Sequence, residues 1–383
     1  MNSYKDFAAV VTNKIEVPSV FHKNFLFCHE PLCRIVEHII LKSHYICSDF
    51  YFDTDEVQKK DYVADFFKTD DMLPILFISQ DCFDMDCKII DEIFEQYKKM
   101  GDTAVFDKKE RLFAYIISPE NKKTAVAGFE NLYLDIEGGK IKKYSVDYIV
   151  PATLTELRES SKKAQDAIFA EHEKNGVQFL SFDGVGISPL VKIHGGAVIY
   201  PGTIVKGNSI IGANTILGPN SLIDDSTVGE NCVINSTQVY SSVIENDVQI
   251  GPFCHIRPNC HIESGVRIGD FVEVKNSNIG KNTKAAHLTY IGDSDVGERV
   301  NFGCGCVTVN YDGKNKYRCN IGDDAFIGCN TNLIAPINIG EGAYTAAGST
   351  LTADVPPDAL AISRVREQKI VDGWARKFKK IEK

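Results

Sequence analysis

Positive charge is not in excess in this chain: the formal net charge is −10, which argues against nucleic acid as the main partner. No apolar run reaches the ~18 residues that a membrane-spanning helix needs, and no charged-then-apolar leader opens the sequence. A cytoplasmic protein with no membrane partner is therefore expected. The twelve cysteines form no pair of CxxC motifs, so neither a zinc site nor a disulfide framework has a spacing pattern behind it. Reduced structural thiols are the expectation, with Cys232 and Cys260 at small-residue positions. The closest pair, Cys304 and Cys306, is expected to point to opposite faces. Tryptophan occurs once, at Trp374, in a short tail whose basic run 376–380 reads as a solvated end. Apolar residues at 44% and charged residues at 25% are otherwise ordinary for a globular chain, and a length of 383 residues suggests about two domains.

What the second half does have is a six-residue beat. It reads Ile199-Tyr-Pro-Gly-Thr-Ile204, Ile211-Gly-Ala-Asn-Thr-Ile216 and Leu217-Gly-Pro-Asn-Ser-Leu222. It returns at Ile250, Ile268, Ile279 and Ile321. Hexapeptide periodicity is the signature of a parallel β-helix, in which each face of a triangular coil takes six residues. The aliphatic residue points inward, and Gly or Asn near each corner permits the turn. At ~18 residues per coil, residues 187–355 make roughly nine coils, ended by Pro356-Pro357. Residues 1–150 lack the beat. Phe7–Thr12 and Leu73–Ser79 read as strands, and Leu32–Lys42 and Cys87–Met100 as amphipathic helices, the second with Ile89, Ile90, Ile93 and Tyr97 on one face. That alternation suggests a small α/β domain. Residues 151–180 form a linker helix, Thr153–Lys174, stopped by Asn175-Gly176. The β-helix domain follows over 181–355, and 356–383 is the tail.

Between Ile250 and Gly328 the repeat carries residues that a pure scaffold would not need. The segments are GPFCHIRP, IGDFVEVKNS, KAAHLTYIGD and VNFGCGCVTVNYDGKNKYRCNIGDDAFIG. Asn310–Asn320 breaks the beat and should leave the prism as a loop, a common seat of function. Arg257, Lys275 and Lys316 can bind an anion. His287 can accept a proton near neutral pH, and Tyr290, Asn301, Asn310 and Tyr311 offer directional donors and acceptors.

These motifs, with the stretch Ala361-Ile-Ser-Arg-Val365, closely resemble the acetyltransferase half of the bacterial N-acetylglucosamine-1-phosphate uridyltransferase / glucosamine-1-phosphate N-acetyltransferase family. The resemblance runs over roughly residues 150–376. It implies a left-handed parallel β-helix that assembles as a homotrimer, with acetyl-CoA bound between neighbouring prisms and an amino-sugar phosphate as acceptor. By motif, Arg257, Lys275, Tyr290, Asn301, Asn310 and Lys316 resemble the sugar-phosphate site. His287 resembles the general base, with Glu273 as a residue that orients the base or the amine. Asn310, Tyr311, Cys304, Cys329, Ala347 and Arg364 occupy positions along the CoA path. The family often has alanine where Cys304 stands and serine where Cys329 stands. The implied reaction is direct acetyl transfer to glucosamine 1-phosphate, with backbone N–H groups near Cys304 facing the oxyanion.

The N-terminal part departs from that family. Its nucleotidyltransferase domain carries a Gly-rich triphosphate loop and a Pro-Lys pair. The matching stretch here, Ala8–Ser19, contains no glycine, and Ser19 stands where the lysine belongs. Glu30–His38 still resembles the family's helix, and Ile75–Asp81 its strand ending in a Mg²⁺-binding aspartate. A shortened, degenerate nucleotidyltransferase-like domain is expected, with uridylyl transfer lost and Mg²⁺ relevant only if Asp81 retains some of it. The competing readings are an acetyltransferase for another sugar, such as galactosamine 1-phosphate, and a non-catalytic trimeric binding or regulatory protein.

Overall fold

The computed structural model of the chain describes residues 7–12, 26–27, 30–31, 36, 47–53, 74–79, 82, 84–118, 135–151, 153–365 and 370–371. The stretch Ala8–Ser19 beyond Thr12, most of the Leu32–Lys42 helix, Asp81 and Trp374 lie outside these residues.

The N-terminal part is a small α/β domain. Six strands form one mixed sheet in the order Cys47–Asp53, Phe7–Thr12, Ile75–Ser79, Leu112–Ile117, Thr103–Phe106, Lys142–Ser145. The first three run parallel, and Leu112–Ile117 is antiparallel to both of its neighbours. Ile75–Ser79 and Leu112–Ile117 are buried along their whole length, as continuous apolar runs at the centre of a covered sheet should be. Helix α1 (Cys87–Met100) covers this sheet with Ile90, Ile93 and Phe94 buried. Ile89 and Tyr97 pack at the margin of the core. The Asp86 carboxylate caps its N-terminus by accepting from the Lys88 N–H (2.9 Å), and Gly101, at φ 80°, ends it. Helix α2 (Leu154–Lys174) is capped by the Thr153 hydroxyl, which accepts from the Glu156 N–H. Gly176, at φ 87°, turns the chain away at its end.

From Gln178 to Ala361 the chain winds as a left-handed parallel β-helix. Its three faces are parallel sheets of ten, nine and eleven strands. The inward residue recurs at Ile199, Val205, Ile211, Leu217 and Ile223, all of them fully buried. About ten coils are present over residues 178–361, one more than the nine expected over 187–355, because the winding starts earlier and ends later than that stretch. Several faces are one residue short, as between Ile223 and Val228 or Val239 and Ile244, so coils take fewer residues than a strict six-residue count allows. Pro356-Pro357 does not end the winding either: Leu360–Ala361 adds a last strand beside Tyr344–Thr345. Small inward residues at the corners are buried Thr, Ser and Cys, whose hydroxyl or thiol donates to a carbonyl of the next coil. Thr215 Oγ1 to Gly229 O (2.7 Å) and Thr283 Oγ1 to Gly297 O (2.8 Å) are examples. Buried polar groups are thereby satisfied. Most corners place Asn, Asp or Gly in the left-handed region, where these residues cost least.

Candidate functional site

Two faces of the β-helix meet at the corner that carries the chemistry. The eleven-stranded face leads into it and the ten-stranded face leads out. Coil after coil, the same corner position is filled by Asp270, His287, Cys304, Cys329 and Ala347. The register is fixed by backbone bonds across the coils: Leu288 N to Asp270 O (2.9 Å), Gly305 N to Leu288 O (3.0 Å), Asn330 N to Cys304 O and Gly348 N to Cys329 O (both 2.8 Å). The Arg364 guanidinium closes the file at its far end by donating to Ala347 O (2.7 Å). The expected base, Cys304, Cys329 and Ala347 therefore lie along one edge, because the repeat sends every equivalent residue to the same corner, and Arg364 reaches that edge through its side chain.

His287 is exposed, and its Nδ1 lies 2.7 Å from Asp270 Oδ1. With Nδ1–H donated to that carboxylate, the lone pair sits on Nε2. The bond to His287 is also the chief reason that Asp270 is held below the usual carboxylate range, so it stays ionised and an acceptor. Glu273, expected beside the base, is elsewhere: its carboxylate accepts from Arg257 Nη1 at 3.0 Å. The cause is pleat and register. Asp270 pairs directly with His287 across coils, whereas Glu273 pairs with Tyr290 on the next face. Sequence reasoning passed over Asp270. The signal was its place 17 residues before His287, one coil upstream in the same motif position.

Just past the corner, the ten-stranded face holds a basic cluster built over a buried acid. Asp293 is 5% exposed. It accepts from Asn276 Nδ2 (2.6 Å) and from Asn310 Nδ2, and Lys275 Nζ is 3.8 Å away. Burial pushes its carboxyl up, but the Asn276 and Asn310 donors and the charges of Lys275 and Lys316 outweigh that, and the net shift is downward. Lys275 is shifted down as well, first by contact with Lys316 and then by desolvation, with Asp293 opposing. Two ammonium groups pressed together with Arg257 nearby form a site short of negative charge. The Asn310 amide also reaches the Tyr290 hydroxyl at 3.4 Å. The Tyr290 ring lies across Gly292, where a β-carbon would stand 2.3 Å from the phenol oxygen.

The loop expected over Asn310–Asn320 is shorter, because strand Cys319–Ile321 rejoins the prism. It is a hairpin closed by an antiparallel bridge between Tyr311 and Lys316. Asp312 Oδ1 accepts from the N–H groups of Lys314 (2.7 Å) and Asn315 (2.6 Å), and Gly313 has φ 97°. This tight turn carries Lys316 back toward Lys275 and leaves Tyr311 exposed. Asn301 is not in the basic cluster. It stands on the eleven-stranded face in register with Lys284 and Phe326, lining a groove of about 520 Å³ with Arg267, Lys284 and Arg299.

Cys304 and Cys306 do diverge, the first part-exposed and the second 2% exposed. Strand alternation is not the reason, since residues two apart share a face. Gly305, at φ 78°, turns the corner between them. Cys232, Cys254, Cys260, Cys304, Cys306, Cys319 and Cys329 form no disulfide, and Cys232, Cys254, Cys260 and Cys306 fill the small inward position. Beside the reactive edge, Phe253, Phe271 and Leu288 occupy successive left-handed corners at φ 59°, 55° and 42°. All three are exposed, and the two phenyl rings stack at 5.5 Å. Bulky residues in that region are strained, and such strain gathers at functional sites. No group of His, Cys, Asp and Glu among the described residues could hold a metal ion, and no described helix is long and apolar enough to cross a membrane.

The fold is a hexapeptide-repeat parallel β-helix, and the family described as bacterial transferase hexapeptide (six repeats) matches residues 241–276. More particularly, the chain is similar to proteins named bifunctional protein GlmU. It is 50% identical over 226 residues to that of Caldicellulosiruptor saccharolyticus, covering 59% of this chain and 49% of the relative. It is 52% identical over 211 residues to that of a Geobacillus species, covering 55% and 46%. It is 39% identical over 247 residues to that of Clostridium acetobutylicum, covering 64% and 54%. The chain spans about half the length of the curated relatives it matches. The similarity lies in the C-terminal half, with a shortened N-terminal domain, in keeping with the resemblance read from the motifs.

Proposed function

We propose that this chain transfers the acetyl group of acetyl-CoA to the 2-amino group of glucosamine 1-phosphate, and that it has lost uridylyl transfer. The observation that carries the reading is the Asp270–His287 pair on one corner file with Cys304 and Cys329, directly beside the Lys275–Lys316–Arg257 cluster. The cluster is suited to a phosphate, whose charge would relieve the contact between the two lysines. His287 Nε2 takes a proton from the sugar amine as the amine attacks the thioester carbonyl. The C–S bond then breaks, and the proton passes to the departing CoA thiolate. Gly305 N–H is committed to Leu288 O, whereas the Cys304 N–H has no acceptor among the described residues. It is the donor available to the oxyanion.

The reading includes a homotrimer. Asn301 lies on the face away from the basic cluster, so a neighbouring copy is the natural route by which it would meet substrate. The test is CoA-thiol release from acetyl-CoA with glucosamine 1-phosphate, galactosamine 1-phosphate and glucosamine 6-phosphate in parallel. Release with glucosamine 1-phosphate alone is expected. Release with galactosamine 1-phosphate instead would change the acceptor, and silence with all three would remove the enzyme reading.

A further inference from the structure

Cys304 and Cys329 stand on the reactive edge, one coil apart at the same corner position. Their coils are in register on both sides of them: Asn301 pairs with Phe326 and Phe302 with Ile327, Gly303 N donates to Ile327 O (2.7 Å), and Asn330 N donates to Cys304 O (2.8 Å). Equivalent residues of adjacent parallel strands are roughly 4.8 Å apart, inside the roughly 4.4–6.8 Å window of Cα separations that a disulfide accepts. The Cys329 sulfur is turned toward the coil of Cys304. A β-carbon built on Gly303 would stand 2.9 Å from it, so it lies over the residue next to Cys304. Both thiols are accessible, Cys329 exposed and Cys304 in part. The third thiol nearby, Cys306, is buried and donates to Gly328 O (3.1 Å). Burial, more than the neighbouring sulfurs, pushes it up to about 11, which keeps it protonated and inert.

We infer that Cys304 and Cys329 are a redox pair that closes to a disulfide under peroxide and so switches off the edge that carries His287. The Cys329 thiolate attacks a peroxide oxygen, the O–O bond breaks, and Cys329 becomes a sulfenic acid as one water leaves. The Cys304 thiolate then attacks the Cys329 sulfur and expels the second water. Two electrons pass from the sulfurs to the peroxide, and the two thiol protons end in the two waters. The consequence for turnover rests on the acetyltransferase reading. The bridge ties down the residue whose N–H faces the oxyanion, in the coil directly next to His287.

The experiment uses the full chain, reduced and then exposed to hydrogen peroxide, quenched with an alkylating agent and digested. Peptide mass mapping should find Cys304 joined to Cys329, reverting with dithiothreitol. In parallel, thiol release from acetyl-CoA should fall by about 10², the scale of a misplaced reacting group, and return on reduction. Cys304→Ala and Cys329→Ser, each compared only with its own reduced form, should lose this peroxide response. Three results would overturn the proposal: no Cys304–Cys329 peptide, a bridge through Cys306 instead, or a full bridge with undiminished turnover. If the reduced protein has no transferase activity, the acetyltransferase reading falls, and with it the switch. The mapped peptide still decides the pairing by itself.

Discussion

His287 engages Asp270 through one ring nitrogen and leaves the other exposed, which is the arrangement a general base needs. His287→Ala should lose about 10²–10⁴-fold in kcat while acetyl-CoA binding, read by calorimetry, is kept. Asp270→Asn keeps the shape but removes the ionised acceptor that fixes the tautomer, so kcat should drop at nearly constant KM. Glu273→Gln should instead raise KM for the sugar phosphate, because its partner is Arg257. A kcat effect at Glu273 with none at Asp270 would reverse these roles. Lys275 gives a pH prediction. Contact with Lys316 and desolvation hold it down, so it loses its charge at a lower pH than an ordinary lysine. Affinity for the sugar phosphate should therefore fall on the alkaline side earlier than lysine chemistry alone would give. In Lys316→Met the main cause of the shift is gone. Neutral-pH affinity should weaken, and the alkaline limb should move to higher pH. A limb that stays put in that variant would remove Lys275 from the phosphate site.

At the scale of the strand and its corner, two glycines separate function from stability. A methyl on Gly292 would meet the Tyr290 ring and hydroxyl, a side chain that can swing away. Gly292→Ala should raise KM for the sugar phosphate while the melting temperature changes little. A methyl on Gly269 would stand 1.9 Å from the backbone oxygen of Ala286, which cannot move without parting the coils. Gly269→Ala should cost about 1–3 kcal/mol, seen in the thermal midpoint. The same contrast explains what could be read from the sequence. The beat of Ile199, Ile211 and Leu217 is a covalent spacing, so the prism was legible from it, whereas His287, Cys304, Cys329 and Ala347 were placed by the family resemblance and share a corner only once the coils are wound. The full extent of the winding was not legible, because its first and last strands, Gln178–Phe179 and Leu360–Ala361, lie outside the stretch where the beat is plain. That Glu273 would not reach His287 was hidden because a corner separates them, and no linear motif marks where a corner falls. Cys304 and Cys306 diverge through the conformation of Gly305, which identity alone permits without requiring.

For the whole molecule, the decisive question is whether one chain holds a complete site. The basic cluster belongs to the ten-stranded face, and the Asp270–His287 pair to the corner where strands of the eleven-stranded face end. Asn301 belongs to the preceding face, beside Lys284 and the groove lined by Arg267 and Arg299. In a cyclic trimer the two meeting surfaces differ, so the corner of one copy can face Asn301 of the next. His287→Ala and Asn301→Ala test this when combined. Each variant alone should sediment as a trimer and turn over poorly. Co-expressed, they form mixed trimers in which some sites take His287 from the Asn301→Ala copy and Asn301 from its neighbour. Random assembly makes about a quarter of the sites whole if each is shared between adjacent copies. Activity should then recover to about that fraction of the unmodified protein. If both residues serve the site within one chain, no mixed trimer contains a whole site, and co-expression should recover nothing.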